Sequence, residues 1–145
     1  MFSYVHRFHA GGFADVHKHV IVLALLEHLK QKSSPFGVVD LFAGEGIYDL
    51  KSPQAQKNRE YEQGVSKLLS RPKLHPWMQS YVNQLMQIPG NVGFELNTYP
   101  GSPWWIMHAL REQDRAQFVE NHSTCFPILK ENMKTYPNAH VHKRD

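Results

Sequence analysis

Apolar positions Val16, Val20, Leu23 and Leu26 recur at helical spacing behind the glycine pair Gly11-Gly12. Asp15 is placed to cap that helix, which is predicted to run to about Lys32. Lys30 and Lys32 suit its negative end, and Ser33-Ser34-Pro35 breaks it. Residues 36–42 are nearly all apolar, the pattern of a strand buried on both faces of a parallel sheet. That strand runs into "DLFAGEGIY", residues 40–48, where the chain turns at Ala43-Gly44-Glu45-Gly46. Residues 51–92 change character: "KSPQAQKNREYEQG" is polar, and helical patterns follow over 60–69 and 76–86, parted by Arg71-Pro72. Pro89-Gly90-Asn91 closes this stretch as a turn. Beyond "LNTYPGSPWW" the pattern predicts a helix over 104–111 and a strand over 117–120. A helix capped by Ser123 or Thr124 then reaches about Lys134, and a last strand covers 139–143. The order is that of an α/β domain with a parallel sheet, interrupted after its first strand by a helical insertion.

Composition narrows the class without changing it. The 145 residues suffice for one domain with a real core, and 41% hydrophobic against 20% charged residues excludes a disordered chain. No apolar run approaches a membrane span, and the N-terminus, polar and basic, does not read as a signal peptide. Cys125 is the single cysteine, so an internal disulfide is excluded and a reducing, cytoplasmic setting is expected. The net charge of +3 permits a polyanionic partner without requiring one.

The turn at Gly44 and Gly46 is where a backbone can approach a ligand without a Cβ in the way. A dinucleotide fingerprint wants a third glycine at position 49, which is Asp49. In doubly wound folds the ligand lies beyond the carboxyl ends of the strands, and an acidic residue ending the next strand accepts hydrogen bonds from ribose hydroxyls. Glu120 stands at that place. It comes far later than in a nicotinamide site, and the insertion accounts for the delay. The missing glycine and the delay together point to S-adenosylmethionine rather than NAD. The plain alternative is a structural turn with a surface glutamate. Ser102 in "YPGSP" lies where helix amides and a hydroxyl meet an anion, or simply caps the helix. His17 and His19 point to different helix faces, and His140 and His142 lack a completing cysteine or carboxylate, so no metal site is expected. Cys125 has no activating motif and reads as an inert thiol.

With these residues in view, the chain resembles the RlmJ (YhiR) family of 23S ribosomal RNA adenine N(6)-methyltransferases. The resemblance runs through "FHAGGFADVHKH", "DLFAGEGIYDL", "YPGSPWWIMHALREQD" and "VENHSTCFPILKENM". It implies a class I methyltransferase fold, a Rossmann-like doubly wound sheet. Residues 1–145 would be its N-terminal half and residues 51–92 an inserted helical subdomain. It implies that Lys18 and His19 help hold the methionine end of S-adenosylmethionine and that Ser102 is a further cofactor contact. Glu120 would bind the ribose, and Asp145 would lie against the adenine. Tyr4 would stand at the target-base entrance with Arg7 beside it on the RNA. Where relatives commonly carry histidine in the glycine turn, this chain has Phe42.

The family's catalytic Asp-Pro-Pro-Tyr, which orients the adenine amino group, is absent from the sequence. The expectation is therefore a chain that holds most of a cofactor site, does not methylate alone, and belongs to a full-length monomer acting on 23S RNA. Its first strand would stand at a sheet edge. The competing expectations are an inactive nucleic-acid-binding module or a part in the use of external DNA. No carboxylate cluster supports nuclease chemistry for the latter.

Overall fold

A computed structural model describes residues 4–93 and 95–144, and the chain divides into two compact units. The first comprises Val22–Ile47 and residues 101–144; the second comprises Tyr4–Ile21 and Tyr48–Pro100. Helix α1 (Phe13–Leu29) carries the chain from the second into the first.

The first unit is a parallel sheet of β1 (Gly37–Asp40), β4 (Arg115–Val119) and β5 (Ala139–His142), in the order β1-β4-β5. Val39 lies opposite Gln117, and Phe118 opposite Val141. Helices α6 (Ser102–Ala109) and α7 (Cys125–Met133) precede and follow β4 in the chain. Ala116, Phe118, Trp105, Leu129 and Met133 form its core. The start of the sheet is clipped by the buried Asp114, which accepts hydrogen bonds from Arg111 Nε (2.9 Å) and the Phe36 amide (3.1 Å). Arg111 also donates to the carbonyls of Lys32 and Ser34. That guanidinium holds the Asp114 carboxyl down at about 2.

The three expected strands and their parallel pairing are present. Burial of the first strand on both faces is not: Val39 is 59% exposed, Leu41 62% and Phe42 88%. The reason is positional, since β1 pairs with β4 alone and stands at the edge of the described sheet.

The second unit holds a 3-10 turn at His6–Phe8, the first half of α1 and four short helices. These are α2 (Pro53–Asn58), α3 (Glu60–Gln63), α4 (Val65–Leu69) and α5 (Pro76–Leu85). A two-stranded ribbon pairs β2 (Ile47–Asp49), whose Ile47 belongs to the first unit, with β3 (Thr98–Pro100). Helix α2 is capped by Ser52, whose Oγ accepts from the Ala55 amide, with Pro53 in the first turn. The polar composition of the stretch hid it.

The single helix expected over 60–69 is two. Gly64 parts them because its backbone lies against another segment: a Cβ there would stand 2.2 Å from the Gly11 carbonyl oxygen. The next amide, Val65, donates to that same oxygen (2.9 Å). Tyr81, Leu85, Tyr99 and Val65 fill this unit's core. Among the described residues no helix is long and apolar enough to cross a membrane.

Candidate cofactor site

In the first unit the sequence-predicted residues gather at the carboxyl ends of β1 and β4. Gly44 and Gly46 both take positive φ (66° and 84°), the left-handed backbone that glycine adopts without strain. The turn is stitched to the neighbouring strand by the Ala43 amide, which donates to the Val119 carbonyl (3.1 Å). Glu120 then clamps it: its Oε2 accepts from the Gly44 amide (2.9 Å), and its Oε1 from the His122 amide (2.6 Å). Each carboxylate oxygen keeps a lone pair beyond the one so used.

The Gly46 carbonyl accepts from the Gly101 amide (2.8 Å), which brings the start of α6 against the glycine turn. Gly101, not Ser102, is the N-cap of α6. Ser102 opens the helix, almost wholly buried, and makes no capping bond, so the plain cap reading fails. The predicted start of α6 at 104 was late by two residues.

Two polar atoms at this edge are closed off from water and make no hydrogen bond among the described residues: Asp40 Oδ2 at the end of β1 and His142 Nε2 at the end of β5. Buried acceptors and donors without a partner are rare in folded proteins and call for a specific role. With the Cβ-free turn and the free lone pairs of Glu120, they fit the ribose and the polar groups of an adenosyl cofactor. Glu45, between the glycines, is buried. It accepts from the Cys125 thiol (3.4 Å), while its carbonyl accepts from Asn132 Nδ2 (2.8 Å). Burial, aided by the Glu45 charge, pushes that thiol up to about 11, so Cys125 is inert as expected. Phe42 is the most exposed large apolar side chain of the turn. Asp145 lies outside the described residues.

In the second unit Asp15 is the hub. The sequence reading made it the cap of α1, but the helix starts at Phe13 and Asp15 sits in its first turn. Its buried carboxylate reaches back instead: Oδ2 accepts from the Gly11 amide (3.0 Å) and from His6 Nε2 (2.7 Å), and Oδ1 meets Lys18 Nζ (3.2 Å). Burial by itself would raise this carboxyl, but the His6 hydrogen bond and the nearby cations hold it well below the usual range. An ionised Asp15 can only accept, so His6 donates to it from Nε2, and the other ring nitrogen, Nδ1, shares a hydrogen bond with the Tyr4 hydroxyl (2.7 Å). Tyr4 also stacks on His9 (ring centroids 5.2 Å), whose Nδ1 bonds Glu60 (2.7 Å). Arg7 lies within the 3-10 turn between these histidines.

Lys18 is half exposed. His19 is not exposed at all: its Nδ1 bonds the Tyr99 hydroxyl (2.9 Å), which in turn bonds Tyr81 (2.8 Å). Burial brings His19 down to about 3, so it is neutral. Among the described residues no group of three or more metal-ligating side chains exists. The Asp15 hub and the buried Glu45 were missed in the sequence. The only hint for Asp15 was its place just after Gly11-Gly12.

A family model described as "RsmJ: Ribosomal RNA large subunit methyltransferase D, RlmJ" matches residues 33–145. Two proteins named "Ribosomal RNA large subunit methyltransferase J" are similar throughout. That of Escherichia coli is 37% identical over 145 residues, covering all of this chain and 51% of the relative. That of Haemophilus influenzae is 38% identical over 141 residues, covering 97% and 50%. A crystal structure of a Legionella pneumophila protein superposes with a TM-score of 0.82 at 34% identity, covering 94% of this chain and 49% of the other. The chain thus spans about half the length of the relatives it matches. The parallel sheet with its glycine turn, the family match and the structural neighbour agree: the chain has the class I methyltransferase fold and belongs to the RlmJ family of ribosomal RNA large subunit methyltransferases.

Proposed function

We propose that this chain is the cofactor-holding part of an S-adenosylmethionine-dependent enzyme that methylates the 6-amino group of an adenine in 23S ribosomal RNA. Residues 1–145 form part of one class I domain, with 51–92 as its inserted helical subdomain. The reading is supported by the names of the relatives. The observation that carries it is the Glu120 carboxylate, which pins the Gly44 turn while keeping acceptor lone pairs at the carboxyl edge of the sheet. When bound, S-adenosylmethionine supplies an electrophilic methyl group on a sulfonium centre.

The chain's own residues bind and orient. Glu120 accepts from the ribose hydroxyls. Gly44 and Gly46 let the backbone come close, and Ser102 offers a hydroxyl at the start of α6. Lys18, paired with Asp15, and the buried His19 next to it in α1, hydrogen-bonded to Tyr99, help hold the methionine end. Asp145 completes the set against the adenine. Tyr4 offers an aromatic face to the target base, and Arg7 a cation to the RNA backbone. No Asp-Pro-Pro-Tyr stands among these 145 residues, so on this reading they bind cofactor but do not transfer its methyl group unaided. Such an enzyme works on ribosomal RNA in the cytoplasm, as a monomer when full-length.

Calorimetry tests the reading. Glu120→Ala should weaken S-adenosylmethionine binding by roughly 1.5–3 kcal/mol, the scale of hydrogen bonds to a charged group. Glu120→Gln, which keeps one acceptor oxygen, should lose less. NAD should not bind. An alanine variant that melts normally and binds as tightly as the parent removes Glu120 from the site, and micromolar affinity for NAD overturns the cofactor.

A further inference from the structure

Between Glu62 and Glu95 the sequence contains no acidic residue, yet it carries Lys67, Arg71, Lys73 and His75. The whole chain has 16 basic and 13 acidic side chains, so its formal excess of +3 is carried by these three cations, and the remainder is balanced. The structure places them together on the surface of the second unit, from the end of α4 across the connection to α5. Lys67, Arg71, Lys73 and His75 are all exposed, and among the described residues none of the three cations takes part in an ion pair.

The connection is not slack. Ser70 Oγ donates to the Lys67 carbonyl (2.9 Å), the Arg71 amide to the Leu68 carbonyl (3.1 Å), and the Trp77 amide to His75 Nδ1 (3.4 Å). Pro72 and Pro76 fix two φ angles within it. Next to the cations stand Trp77, 45% exposed, and Met78, 39% exposed. Trp77 is the one tryptophan of the chain left open to solvent; Trp104 and Trp105 are buried.

Uncompensated cations beside an open indole ring match a partner that carries phosphates and flat bases together. The segment gives a bilayer little to hold, because the apolar side of α5 is already used for Tyr81 and Leu85 in the core. We infer that the α4–α5 connection is an RNA-docking surface, with Lys67, Arg71 and Lys73 on phosphates and Trp77 stacked on an unpaired base. This deepens the methyltransferase reading and rests on it for the choice of RNA.

Fluorescence anisotropy of the full chain tests it. The probes are a fluorescein-labelled RNA hairpin with an unpaired loop and the same stem closed as a blunt duplex, each titrated across a salt series. Arg71→Glu with Lys73→Glu should lower hairpin affinity at least about tenfold and flatten the salt slope by about 1.4–1.8, the release expected for two phosphate contacts. Trp77→Ala should weaken the hairpin by about tenfold, leave the slope unchanged and leave the duplex unaffected. Unchanged affinity and slope in the charge variant overturn the proposal, and so does equal weakening of hairpin and duplex by Trp77→Ala. Loss of binding to phosphatidylserine vesicles with RNA affinity intact would assign the surface to a membrane and overturn it as well. S-adenosylmethionine affinity, measured alongside, should be the same in all variants. A chain that docks RNA here but binds no S-adenosylmethionine refutes the methyltransferase reading and leaves this one standing.

Discussion

His19 and Asp15 are four residues apart on α1, and both are titratable groups shut away from water. They respond to acid in different windows. His19 sits near 3 in the fold against an ordinary 6.5, so between those values the unfolded chain binds the extra proton. Stability must therefore rise with pH from about 3 to about 6.5, by at most ~1.4 kcal/mol per unit. Asp15 is depressed, so its contribution is intact above the ordinary carboxylate range and is lost only as pH falls below it. Lys18, His6 and the Tyr99 hydroxyl are the other groups facing this pair. Urea unfolding of the parent and of His19→Asn across pH 4 to 7 separates the two. The asparagine variant should lose the slope near pH 5–6. Parallel curves would mean that His19 is not held neutral. None of this is visible in "DVHKH" as a string, because burial is a property of what packs over the helix.

Between elements the decisive residue is Gly64. A methyl group there has no room, with Gly11 O at 2.2 Å and Gly12 C at 2.5 Å, both backbone. Gly64→Ala should cost at least the ~1–3 kcal/mol of an overpacked core, because the obstructing atoms cannot rotate away. Gly37→Ala serves as its control. That residue lies in a strand, and its nearest obstacle, the Arg115 carbonyl, is 4.0 Å away, so the change should be close to neutral. Thermal melts of the two variants check the difference, and equal melting temperatures would sink the packing account. Helical periodicity over 60–69 was legible. Its interruption was not, since it depends on Gly11 and Gly12, some fifty positions earlier, lying against it.

For the whole chain, the edge of the described sheet matters most. Val39, Leu41 and Phe42 are exposed along β1 and the turn after it, and Leu25 and Leu29 of α1 are exposed as well. An open strand edge with apolar neighbours is a template for another chain. Residues 1–145 by themselves should therefore self-associate, and their sedimentation coefficient should rise with concentration. Leu41→Lys with Phe42→Lys should suppress that rise, as charged residues do on natural edges. A parent chain that stays monomeric at every concentration would show that the edge is harmless.

Much of this protein was determined by its sequence. The apolar run 36–42, the glycines at 44 and 46 and the strand before Glu120 specify strand–turn–helix segments locally, because periodicity and glycine conformation act over a few residues. The phrase "FHAGGFADVHKH" carried the family. Tertiary structure decided what depends on distant partners. It turned Asp15 from a cap into a three-way acceptor, and it spent two of the lone pairs of Glu120 on Gly44 and His122. It buried His19 under Tyr99 and split one helix at Gly64. It also left one side of the apolar β1 exposed, because a strand's burial is set by its neighbours, and in the described sheet β1 pairs with β4 alone.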